Sequence, residues 1–116
     1  MEKTENRIMF EVYSWFHNHF PEYRGLYCLN YNNPKNEIQG AVLNGLGLQK
    51  GRPDVSIYIP NKSFHALLIE YKTPKGKARD EQLKNHEKLT KFGYKVEIIN
   101  DVEKGKELIL KYLSEK

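Results

Sequence analysis

A chain of 116 residues, 39% hydrophobic and 29% charged, has material for one modest core rather than two, and reads as a single domain over residues 1–116. No apolar run approaches membrane-spanning length, and the charges mixed into "MEKTENRIMF" exclude a secretory-signal pattern. A formal net charge of +4 permits a polyanionic partner without demanding one, and the single Cys28 rules out an intrachain disulfide and fits a reducing, cytoplasmic setting.

From Thr4 to about Phe20, Ile8, Met9, Val12, Trp15, Phe16 and Phe20 recur at helical spacing, which predicts a helix with Thr4 as its N-cap and Pro21 as its stop. Glu5 falls on the same face as Val12 and Phe16, while Glu2 and Glu11 sit towards or beyond the margins. A carboxylate there is either a frayed, solvated end or a group that reaches a cation. Residues 26–37 begin as a strand and break into a turn at Asn32, Asn33 and Pro34. Residues 36–47 read as a short helix stopped by Gly45 or Gly47. "GLGLQKG" lacks the ending of a phosphate-binding loop and reads as a connector.

"DVSIYIP" (54–60) alternates, "NKS" turns, and "FHALLIEYK" (64–72) is a continuous apolar run, so the pair predicts a β-hairpin whose second strand is central and buried. A helix from about Ala78 to Phe92 follows, with Asp80 and Glu81 in its first turn and Gly93 as its stop. Residues 94–99 form another strand, and Asp101 caps a closing helix. The order α-β-α-β-β-α-β-α predicts an α/β fold, a mixed sheet flanked by helices.

Charged groups sit badly near a core unless they are paired or bind a metal. The hairpin brings Asp54 and Glu70 to the same end of neighbouring strands, and period-two geometry puts Glu70 and Lys72 on one face. Two carboxylates there repel each other unless a cation intervenes, and oxygen ligands suit Mg²⁺, with Mn²⁺ as a substitute. A lysine beside the metal can orient or deprotonate water, or stabilise charge developing on a phosphate. Cations gather on both approaches, Lys50 and Arg52 before Asp54, and Lys75, Lys77 and Arg79 after Lys72. The arrangement suits metal-assisted hydrolysis of a phosphodiester, with the flanking cations on backbone phosphates. The bland reading is an Asp54–Lys72 ion pair with Glu70 capping a neighbour.

The histidines add no metal site to this reading. His17 and His19, two apart on a helix, point about 200° apart and cannot share an ion. His65 and His86 lack partners at ligand spacing and read as surface or packing residues. The tyrosines of "YRGLYCLNY" read as sheet packing ahead of base stacking.

"RPD" followed at hairpin distance by "IEYK" resembles the PD-(D/E)XK nuclease superfamily. "GLQKGRPDVSI" with "LLIEYKTPKGKARDEQLKNHEKLTKFGYKVEIIND" resembles its VRR-NUC family over roughly residues 4–110, most of all the stand-alone phage or viral members. The resemblance implies a restriction-endonuclease-like fold and a divalent-metal-dependent, structure-selective DNA endonuclease. It makes Asp54 and Glu70 direct metal ligands with the main-chain carbonyl of Tyr71, and gives Lys72 the attacking water. Gln82 then braces Lys72 or the scissile phosphate, and Glu5 binds the metal through water. A homodimer cutting four-way (Holliday) junctions is implied, with no membrane partner. The alternatives are a non-catalytic DNA-binding module, or a repair- or restriction-type endonuclease without junction preference. Arg52 stands where a small apolar residue is usual in the family, and Tyr71 where Val is frequent.

Overall fold

The computed structural model describes residues 4–30 and 35–116. Helix α1 (Glu5–His19) starts where the Thr4 hydroxyl accepts from the Arg7 amide at 3.1 Å, and it ends ahead of Pro21, which opens a single 3₁₀ turn over Pro21–Tyr23. Strand β1 (Tyr27–Leu29) follows. Helix α2 (Glu37–Gly45) is capped by the Asn36 side chain, and Gly47 follows at φ +107°. Then come β2 (Val55–Ile57), β3 (Leu67–Tyr71), α3 (Asp80–Lys91), β4 (Lys95–Ile99) and α4 (Val102–Ser114), the last capped by Asp101. The predicted element order holds. The turn expected at Asn32, Asn33 and Pro34 lies outside the described residues, as does Glu2.

Both hairpin strands are shorter than their sequence pattern, for local reasons. The Ile59 amide turns back to the Ile57 carbonyl, and Pro60 has no N–H to offer, so β2 ends at Ile57. Asn61 Oδ1 accepts from the Ser63 and Phe64 amides, which holds Phe64 in the turn and delays β3 to Leu67.

The strands form one sheet in the order β1-β2-β3-β4, antiparallel except for the parallel β3/β4 pair. Strand β3 is interior and buried along its whole length, which is why its sequence is continuously apolar up to Glu70. On one face Val55, Ile57, Leu67, Ile69 and Tyr71 meet Ile8, Val12 and Phe16 of α1 and Val102, Ile109 and Tyr112 of α4. Gly105 lets those two helices close up: a Cβ there would lie 3.1 Å from Val12 Cγ2. The alternate residues Ser56, Leu68 and Glu70 point to the other face, where α3 lies with Gln82 and His86 buried. The sheet thus has an apolar face that makes the core and a polar face that makes the site.

Candidate active site

The β2/β3 register pairs Val55 with Ile69, so the next pair sets Asp54 opposite Glu70. Two bonds hold Asp54 in place. The Tyr71 amide donates to Asp54 Oδ2 at 2.8 Å, and the Asn30 amide donates to the Asp54 carbonyl at 2.8 Å. Asn30 also donates through Nδ2 to the Pro53 carbonyl and to Ser56 Oγ, clamping the segment that carries Asp54. One residue beyond β3, the Lys72 amide donates to the Ile99 carbonyl and extends the ladder, which keeps the Lys72 side chain on the Glu70 face. Lys72 Nζ lies 3.7 Å from Glu70 Oε2.

Glu5, Asp54, Glu70, Lys72 and Gln82 all line one open cavity of about 910 Å³, with the exposed Lys50, Arg52 and Arg79 on its walls. Five side chains from four separate stretches of chain therefore line one cavity. Glu5, in the first turn of α1, is half-buried and close enough for its charge to act on Glu70. Tyr71 contributes only backbone here. Its ring lies on the core face, fully buried, with its hydroxyl 2.9 Å from that of Tyr27. Gln82 Oε1 accepts from the Arg79 amide at 2.9 Å and so caps α3. That leaves its NH₂ without a partner among the described residues, a donor suited to a phosphate oxygen rather than to the Lys72 ammonium.

The electrostatics follow from two acids meeting out of water. Burial, then a hydrogen bond with Asp54 and the Asp54 charge, push the Glu70 carboxyl up to about 8, against the pull of Lys72. His86 lies behind Glu70, its Nε2 3.8 Å from Glu70 Oε1. Burial, with Lys72 nearby, holds the imidazole below its ordinary range and hence neutral at pH 7. Glu70 Oε1, His86 Nε2 and Asn85 Oδ1 are buried without a hydrogen-bond partner among the described residues. Orphaned groups of this kind are rare in a finished interior.

A divalent cation fits this donor set. Asp54 and Glu70 offer hard oxygens, Glu70 Oε1 has capacity to spare, and a positive charge would relieve the repulsion between the two acids. Among the described residues no group of three or more His, Cys, Asp or Glu side chains converges into a cage. Two hard oxygen donors of this kind leave most of a divalent cation's coordination to water.

Sequence reasoning missed two residues. His86 was expected at the surface or in packing, and it is buried against Glu70. Its signal was the helical step from Gln82, which puts both on one face of α3. Asn30 had no signal in its neighbours, because its partners lie more than 20 residues away in sequence. His65 is exposed and stacks edge-on against Tyr94, a packing residue as expected.

An α/β domain that gathers two facing carboxylates and a lysine at the ends of its central strands, in a cavity walled with cations, has the form of a phosphate-handling enzyme. The VRR-NUC domain model matches residues 13–102, and the chain belongs to that family, which is a family of nuclease domains. The match is narrower than residues 4–110; it contains Asp54, Glu70, Lys72 and Gln82 and leaves Glu5 outside. One solved structure described as a VRR_NUC domain protein superposes with a TM-score of 0.82 at 22% identity, covering 100% of this chain and 93% of that one. A second, described as a VRR_NUC domain, gives 0.62 at 20% identity, covering 95% of this chain and 99% of that one. No curated protein matches the sequence. No helix among the described residues is long and apolar enough to cross a membrane.

Proposed function

We propose that the chain is a divalent-metal-dependent DNA endonuclease of the PD-(D/E)XK type. The observation that carries the reading is the buried Glu70 carboxyl set opposite Asp54 with Lys72 Nζ 3.7 Å away, in a family of nuclease domains. Asp54, Glu70 and the Tyr71 carbonyl would hold Mg²⁺ or Mn²⁺, and Glu5 would act on it through water. A bound divalent cation supplies charge neutralisation on the scissile phosphate and acidifies water.

The protein's own groups do the rest. Lys72 orients the attacking water and stabilises the charge that gathers on the phosphate as the new P–O bond forms and the old one breaks. The Gln82 NH₂ holds a phosphate oxygen. Arg52, for which no carboxylate partner exists among the described residues, joins Lys50 and Arg79 in holding neighbouring backbone phosphates. The preferred substrate is branched DNA, a four-way junction in particular, cut by a homodimer that presents one site to each of two strands. The dimer is supported by α2, which buries no residue in the monomer yet exposes Ile38 and Val42 one helical turn apart, with Leu46 exposed at its C-cap.

Cleavage of a labelled four-way junction, a flap, a linear duplex and a single strand in Mg²⁺, Mn²⁺ or EDTA tests the proposal. Cutting in either metal and none in EDTA is expected, with Lys72→Ala and Asp54→Asn losing about 10²-fold or more in rate while still binding DNA. Paired nicks in the junction alone carry the junction reading. Undiminished cutting by both variants overturns the site assignment, and cutting in EDTA overturns the metal.

A further inference from the structure

A helix packed on a central strand ordinarily turns an aliphatic stripe inward. Helix α3 does not. Its buried residues are Gln82 and His86, and Leu83 is left 48% exposed. An imidazole beside a buried carboxylate destabilises a fold unless a hydrogen bond offsets the loss of water. Yet His86 Nε2 and Glu70 Oε1, both without partners, face each other at 3.8 Å. That gap is about 1 Å longer than a hydrogen bond, within reach of a small side-chain adjustment. The other carboxylate oxygen, Oε2, faces Lys72 Nζ at 3.7 Å. Glu70 therefore lies between two nitrogens, one nearest each oxygen.

We propose that His86 is a positioning residue for metal binding, its Nε2–H donating to Glu70 Oε1 and fixing the carboxylate in the orientation that holds the divalent cation. The inference rests on the metal-centre reading of Asp54 and Glu70. The terminal torsion of a glutamate is broad and nearly two-fold, so an unheld carboxylate loses freedom when it ligates. An imidazole N–H that donates to it removes that freedom beforehand and leaves the cation less to order. Removing an orienting partner of this kind typically weakens metal affinity by about 10–100-fold.

The test is calorimetric titration of Mn²⁺ into the DNA-free protein, alongside thermal unfolding in EDTA. His86→Gln keeps an N–H that can reach Glu70; His86→Met matches the bulk without a donor. The expected result is a loss of about 10–100-fold in Mn²⁺ affinity for the Met variant, parent-like affinity for the Gln variant, and similar unfolding temperatures for both in EDTA. Should the Met variant fail to fold, His86→Phe keeps a ring without the N–H and carries the same comparison. Parent-like Mn²⁺ binding by the Met or Phe variant overturns the proposal, as does an equal loss in the Gln variant, which would mark packing rather than a hydrogen bond. If the parent itself takes up no Mn²⁺, or Asp54→Asn binds it unchanged, the metal-centre reading falls and this one with it.

Discussion

Glu70 holds its carboxyl group out of water, opposite Asp54 and between Lys72 and His86. Its pKa rises from an ordinary 4.5 to about 8, so between those values the folded chain keeps a proton that the unfolded chain has already released. Stability of the metal-free protein is therefore greatest below about pH 4.5 as far as this group is concerned, and falls as pH climbs through 8. Denaturant melts in EDTA are expected to show a loss of about 1 kcal/mol or more between pH 5 and pH 9, since every tenfold change in proton affinity is worth about 1.36 kcal/mol. Glu70→Gln, which cannot ionise, should flatten that slope. Added Mn²⁺ should restore stability to the parent at pH 9 by mass action and leave the variant unaffected. A parent and variant with equal slopes would show that the buried acid is not the source. That Asp54, Glu70 and Lys72 lie together was legible in the sequence because an acid at the end of a buried strand is tolerated only with a cation or a proton beside it. His86 was not legible when histidines were paired with one another by ligand spacing; counting its position on the face of α3 finds it.

Element boundaries were legible where a side chain writes them. Thr4, Asn36 and Asp101 cap three helices as their residue types demand, and Gly93 at φ +99° ends α3. What escaped was set by contacts distant in sequence. Gly51, in the connector that carries Lys50 and Arg52, sits at φ +74°, and a Cβ there would lie 2.8 Å from the Glu81 carbonyl oxygen. That glycine lets the connector lie against the first turn of α3, beside Gln82 and Arg79. Nothing in "LQKGR" shows a helix arriving from 30 residues later. Gly51→Ala both strains the backbone and collides with main chain, and is expected to cost about 1–3 kcal/mol in melting experiments. It should also weaken DNA binding by fluorescence anisotropy, since Lys50 and Arg52 move with the connector. A variant as stable as the parent, with unchanged binding, would show that the connector yields freely.

At the scale of the whole molecule, exposed cations gather on the approaches to the site. Lys75, Lys77 and Arg79 follow the site and are exposed, so DNA binding should weaken steeply with salt. Replacing all three by alanine is expected to lower the slope of log affinity against log salt by about 2–3, as for that many lost phosphate contacts. An unchanged slope would remove them from the DNA path. In the proposed homodimer the exposed Ile38 and Val42 of α2 form the interface. Val42→Glu should convert a dimer to a monomer by light scattering, and a dimer that survives the charge places the interface elsewhere. One residue joins the core to the site. Tyr71 has its ring sealed in the core and its amide proton held by the Asp54 carboxylate. That N–H is thus a built-in spectroscopic gauge: its ¹⁵N–¹H resonance should move when Mg²⁺ is added, although no solvent touches the ring beneath it. The same peak should then report how full the site is in each substituted protein, without a substrate and without a label beyond the nitrogen itself.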